Sequence, residues 1–77
     1  MRELLHYVAC VLVDHPEDVR VDEETSDQGT VLKLQVRRED VGKVIGKQGR
    51  TARAIRNLVA AAAQARQARV SVQFVDF

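Results

Sequence analysis

Met1, Leu4, Leu5, Val8, Val11 and Leu12 recur at the three-and-four spacing of one helical face, and Pro16 cannot continue that pattern. An amphipathic helix is expected over residues 1–15. The period then drops to two: Val19 and Val21 alternate with Arg20 and Asp22, and Leu32, Leu34 and Val36 alternate with Lys33, Gln35 and Arg37. Alternation of this kind marks half-buried strands. The polar run 23–29 between them ends in glycine and reads as a hairpin loop, so the two strands are expected to pair antiparallel.

Beyond the strands the period lengthens again. Glu39 and Asp40 stand where acids favour a helix start, and Val41, Val44 and Ile45 mark a short helix that Gly46 ends. After Gly49 a longer helix is expected to about residue 66, with Ala52, Ile55, Leu58, Val59, Ala62 and Ala65 on its apolar face and Arg50, Arg53, Asn57 and Gln64 directed elsewhere. Val70, Val72 and Phe74 alternate with Ser71 and Gln73, a third strand reaching nearly to the C-terminus. The order is helix, strand, strand, helix, helix, strand. This is an α+β pattern, a three-stranded sheet with three helices packed on one face, and 77 residues suffice for a single domain over 1–77.

The net charge of +1 conceals a division of the chain. Residues 1–40 carry five cations against ten acids, a net of −5, whereas residues 41–77 carry seven cations against Asp76 alone, a net of +6. Screening confines exposed charges to a range of about 8 Å, so the local cluster matters more to a polyanion than the total does. The one cysteine, Cys10, has no internal disulfide partner, and the N-terminus lacks a secretory layout, so a cytoplasmic setting is expected. Apolar runs are far shorter than the ~20 residues that span a bilayer.

The basic part centres on Gly46-Lys47-Gln48-Gly49, between the two helices. A bare G-x-x-G carries little information; its setting carries more. The glycines permit a turn that side chains would obstruct and let a nucleic-acid backbone come close. Unpaired amides at the start of the second helix, with Lys47 and Arg50, would attract phosphate.

Val44-Ile45-Gly46-Lys47-Gln48-Gly49 followed by Ile55 resembles the signature of KH domains, and the order of elements resembles their type II arrangement, with an extra helix and strand ahead of the core. The segment from Asp40 to Ile55, with the chain length, is most similar to the small bacterial KhpA family. Ala52 stands where many KH domains carry a larger aliphatic residue. The resemblance implies binding of single-stranded RNA, the loop clamping the backbone of about four nucleotides while bases lie in an aliphatic groove. Lys43, Val44, Ile45, Gly46, Lys47, Gln48, Gly49, Arg50 and Arg53 are the RNA-binding candidates. It also implies a non-catalytic RNA chaperone or post-transcriptional regulator, able to form a homodimer and to pair with a larger KH-containing protein of the KhpB type. Ala54, Ala60 and Ala61, off the apolar face of the long helix, would admit a second helix closely.

Other readings fit less well. A protein-interaction module using the same fold is the rival class. In a helix-turn-helix DNA reader Arg50, Arg53 and Arg56 would face a major groove, but three strands count against a fold that is usually all-helical. A nucleotide-binding P-loop fails because Gly42 and Gly46-Lys47 are one residue too close and Gln48 replaces the magnesium-binding hydroxyl. His6, Cys10 and Asp14 on one helix make a poor metal site, and Cys10 lacks an activating neighbour in the sequence. No metal, cofactor or catalytic residue is expected.

Overall fold

The computed structural model describes residues 1–75. Its elements are α1 (Arg2–Leu12), β1 (Arg20–Ser26), β2 (Gly29–Gln35), α2 (Val41–Ile45), α3 (Arg50–Ala65) and β3 (Val70–Phe74). Single 3-10 turns at Pro16–Asp18, Arg38–Asp40 and Lys47–Gly49 join them. The sheet order is β1-β2-β3, β1 antiparallel and β3 parallel to the central β2. This is the expected α+β order with three helices beside a three-stranded sheet.

Alternation decides which strand residues meet the helices. Val21, Leu32, Leu34 and Val72 are buried and aligned across the sheet, Val21 opposite Leu34 and Leu32 beside Val72. Leu5 and Ala9 of α1, Val44 of α2, Ile55 and Val59 of α3, and Val13, Val19 and Val36 of the connections join them in one hydrophobic cluster. Each buried aliphatic side chain contributes about 1.5–3 kcal/mol relative to exposure.

Three expectations are corrected. First, the polar run 23–29 is mostly strand, not loop. β1 continues to Ser26, so the turn contains only Asp27 and Gln28. Pairing of the backbone outweighs the poor strand propensity of acids on an exposed edge, and Lys33 Nζ donates to Glu24 Oε1 across the strands at 2.7 Å. Gly29 closes the turn at φ 124°, and a Cβ there would lie 2.8 Å from the Arg69 carbonyl oxygen.

Second, α1 ends at Leu12 rather than at residue 15. Val13 turns extended and buries its side chain, and the backbone N–H of His15 donates to Asp40 Oδ2 instead of to a helical carbonyl. Third, the buried face of α3 is Ala52, Ile55, Val59 and Ala63. Leu58 is 45% exposed, and Ala65 faces solvent. The helix ends with Gln67 at φ 56° and Ala68 N–H bonded back to the Ala63 carbonyl, closing the last turn. β3 ends at Phe74; the stretch beyond residue 75, which a strand reaching nearly to the C-terminus would enter, lies outside the described residues.

The rotated face of α3 is testable by denaturant unfolding. Ile55→Ala should cost about 2–4 kcal/mol, as a core truncation does, and Leu58→Ala under about 1 kcal/mol, as an exposed change does. Equal losses would restore the face that includes Leu58.

Candidate nucleic-acid interface

The parallel pairing of β2 and β3 requires the chain to return across the sheet between them. α2 and α3 make that return, and their junction stands at the C-terminal ends of both strands. Gly46 caps α2, its N–H bonded to the Gly42 carbonyl at 2.9 Å, with φ 76° and ψ 175°, a region open essentially to glycine alone. A Cβ there would lie 2.2 Å from the Thr51 hydroxyl. Gln48 at φ 56° and Gly49 at φ 74° are both left-handed, and Gly49 N–H returns to the Gly46 carbonyl at 3.2 Å. The two glycines thus serve different ends. Gly46 is required by close packing against Thr51, whereas a Cβ on Gly49 would meet nothing within 4 Å among the described residues, so Gly49 presents bare backbone there.

Around that opening, Lys47, Gln48, Arg50 and Arg53 are exposed. Among the described residues Lys47, Arg50 and Arg53 form no ion pair. Among the described residues no side chain caps the first turn of α3. Next to the loop is a cavity of about 180 Å³ lined by Leu34, Val36, Val41, Val44, Ile45, Phe74 and Val75. Ile45 is half-buried at its wall; Val44, 2% exposed, is a core residue that meets the cavity from beneath. Ala52 is likewise buried in the core. A wider open depression of about 760 Å³ lies at the other end of α3, near the β1–β2 turn, and is remote from the glycine loop.

Lys43 is placed differently from the other candidates. Val41, Val44 and Ile45 share the cavity side of α2, and Lys43 projects from the opposite side. There its ammonium donates to Asp14 Oδ2 and lies 3.7 Å from Asp40 Oδ1. Asp14, as hydrogen-bond acceptor, raises the Lys43 pKa above its ordinary value against the opposing effect of desolvation, and Asp40 adds its charge.

Asp40 is the centre of this cluster. It is 1% exposed, and its Oδ2 accepts the His15 backbone N–H and His15 Nδ1–H, each at 3.0 Å. Burial alone would raise its pKa. The bonds from the His15 ring and from the His15 and Asp14 backbones, with the His15 charge, outweigh it and hold the carboxyl below its ordinary value. Oδ1 is buried without a hydrogen bond among the described residues, and the Lys43 ammonium lies 3.7 Å from it. The sequence suggested Asp40 as a helix-start acid; its side chain instead ties the exit of α1 to the entry of α2. An acid at a helix start is the only signal that pointed to it. Nothing in the spacing connects residues 15 and 40.

A helix–strand–strand–helix–helix–strand fold with a glycine-framed loop joining two helices beside an aliphatic cavity defines a KH domain with a helix and strand ahead of its core. The chain belongs to the KhpA/KhpB KH-domain family, whose model matches residues 2–74. A protein named RNA-binding protein KhpA from Halalkalibacterium halodurans is 47% identical over 76 residues, covering 99% of this chain and 100% of the relative. Proteins of the same name from Clostridium acetobutylicum and Bacillus subtilis are 49% identical over 75 residues and 46% over 76, covering 97% and 99% of this chain and 100% and 94% of the relatives. No solved structure matches the chain. Among the described residues no helix is long and apolar enough to cross a membrane.

The depressed pKa of Asp40 gives a pH prediction. A carboxyl more acidic in the folded state contributes stability that is fully present above its unfolded value of about 3.8 and is lost as pH falls through the folded value. The urea midpoint of the unmodified chain should therefore fall between pH 6 and pH 3 by more than that of Asp40→Asn, which starts lower. Parallel acid limbs would remove Asp40 as a contributor.

Proposed function

We propose that this chain binds single-stranded RNA without catalysing a reaction, its Gly46–Gly49 loop holding the phosphate backbone, and that it acts in the cytoplasm as an RNA chaperone or post-transcriptional regulator. The observation that carries this reading is the open face of Gly49, which leaves backbone and the uncapped first turn of α3 accessible among three exposed cations. Amides and cations together make an anion site. The adjoining cavity supplies the apolar surface that bases need. The names of the relatives agree with it. Gly46, Lys47, Gln48, Gly49, Arg50 and Arg53 are assigned to the backbone, and Ile45, with Val44 beneath it, to the groove. Lys43 is assigned to holding α2 in place.

Neutralising three or four phosphates gives a slope of log affinity on log salt of roughly −2 to −3 for single strands. The unmodified chain titrated with short RNA at several salt concentrations should show it. The double variant Lys47→Asp with Gln48→Asp should melt normally and lose most binding by repelling phosphate. A flat salt response, or a folded double variant that binds as before, would move the site away from the loop.

A second surface favours self-association. Tyr7 and Val11 are 68% and 66% exposed on one side of α1, and Leu58 is 45% exposed on α3 among the exposed Ala54, Ala61 and Ala65. Large exposed apolar residues grouped on two packed helices are a feature of association surfaces. A second copy of this chain, or the KH domain of a KhpB-type protein, is the proposed occupant, with Ala60 outside the contact on the Arg53 side. Light scattering after size-exclusion chromatography should show a dimer that Leu58→Asp converts to monomer. A monomer at high concentration without the substitution would discard this surface.

A further inference from the structure

The far end of α3 has no part in the loop's grip on phosphate, yet one side of the helix joins the two. Arg53, Arg56, Ala60 and Gln64 follow one another at three-and-four spacing, a single stripe along α3. The guanidinium carbon of Arg56 lies 5.1 Å from the centroid of the Phe74 ring, which places this stripe beside β3. Ala60 and Gln64 then line the open depression of about 760 Å³ by the β1–β2 turn. We propose that this depression is a second contact for the same RNA strand, with Arg69 receiving a phosphate there. The proposal rests on the RNA-binding reading above and extends it beyond the loop and its cavity.

Charge runs along the whole of that side. α3, β3 and the connection between them carry no acid, so a polyanion following the stripe meets cations near both ends and no carboxylate on these elements between them. Arg69 lines the depression, is exposed, and among the described residues forms no ion pair. Its backbone is anchored: the Arg69 carbonyl accepts the Thr30 N–H at 2.8 Å. The side chain is thus left to a ligand. Asp27, between the lining residues Ser26 and Gln28, is an acid at the margin of the depression and not part of its lining.

The lining suits a strand held without regard to sequence. Gln28, Gln64 and Gln67 bring amides, and Ser26 and Ser71 bring hydroxyls, groups that both donate and accept hydrogen bonds. No aromatic ring lines the depression, so it lacks a stacking platform. Length fits as well. From Arg53 to Gln64 the helix rises about 16 Å at ~1.5 Å per residue, which a stacked strand crosses in about five nucleotides at ~3.4 Å each. With about four nucleotides on the loop, the chain holds up to about nine; an unstacked strand advances further per nucleotide and needs fewer.

Fluorescence anisotropy with uridine RNAs of about five and about twelve nucleotides, one too short and one long enough to reach both contacts, tests this. Arg69→Gln should leave affinity for the shorter RNA within about twofold and lower that for the longer about fivefold, the scale of one exposed charge pair. It should also flatten the salt slope of the longer RNA by about 0.7, one phosphate's share. Gln64→Glu, an exposed change that sets a negative charge in the depression, should weaken the longer RNA alone, thermal melting confirming the fold of both variants; should Arg69→Gln unfold, Gln64→Glu carries the test. A 4-thiouridine at one end of the longer RNA should cross-link within residues 64–71. The proposal is overturned if the folded variants weaken both RNAs equally, if they leave the longer RNA unchanged, or if cross-links from neither end reach 64–71. The Lys47→Asp, Gln48→Asp variant, run on the shorter RNA, reports separately on the loop: its unchanged binding would refute the loop reading whatever Arg69 shows.

Discussion

The parallel pairing of β2 with β3 is the constraint on which the rest depends. Parallel neighbours cannot be joined by a hairpin, so the chain leaves one end of β2 and must travel back along the sheet before β3 begins. α3 provides the return. Its 16 residues extend about 24 Å at a helical rise of ~1.5 Å, whereas the 5 residues of β3 cover only about 17 Å. The helix is longer than the strand it crosses, and the excess leaves room for its first turn, with Arg50 and the glycine loop, to stand clear of the sheet. α2 then closes the space between that first turn and the ends of β2 and β3. The cavity is the gap between these parts, lined by Leu34 and Val36 from the β2 side, Phe74 and Val75 from the β3 side and three residues of α2.

Five residues of helix do not hold themselves in place. Val44 anchors α2 to the core from one side, and the Asp40–His15–Lys43–Asp14 cluster fastens the other side to the exit of α1. Burying a carboxylate is costly unless its partners are well placed, and removing one partner leaves the charge stranded. That asymmetry makes the cluster specific. α2 has one seat in which Asp40 keeps its bonds from His15 and the nearby charge of Lys43, and the seat sets where Ile45 and Gly46 lie. The extra helix ahead of the core therefore does more than cover the sheet; its last turn gives way to the backbone N–H that Asp40 needs.

Much of this was legible in the chain because period and punctuation are local. The alternations at Leu32–Val36 and Val70–Phe74, the helical spacing in α1, and glycines at both ends of the loop are written in neighbouring residues, and the order of elements and the family resemblance followed from them. The errors fell where distant partners decide. Glu23 and Glu24 have poor strand propensity, and only their pairing with β2 extends the strand through them. Along α3, alanine occupies positions on every side, so the apolar spacing could not choose between Ala62, Ala63 and Ala65; contact with the sheet selects Ala63. Of the site, the loop and its cations were readable as a cluster of charge. The different duties of Gly46 and Gly49 were not, since they depend on Thr51 and on empty space. Nor was the withdrawal of Lys43 behind α2, because its partner Asp14 is 29 residues away.

The rotated packing of α3 also separates its two exposed sides. Ala52, Ile55, Val59 and Ala63 face the core, and at about 100° per residue Arg53, Arg56 and Ala60 fall on the side toward β3, while Ala54, Leu58, Ala61 and Ala65 fall on the other. The cation over Phe74 confirms the first direction. Had Leu58 been buried as its spacing suggested, the helix would have turned its arginines away from the cavity and left no apolar side exposed. Placing Ala63 inward instead gives one helix a cationic side beside the proposed RNA path and an apolar side beside Tyr7 and Val11. On this geometry a partner seated on the apolar side leaves the loop and cavity open, so self-association and RNA binding need not compete for the same surface.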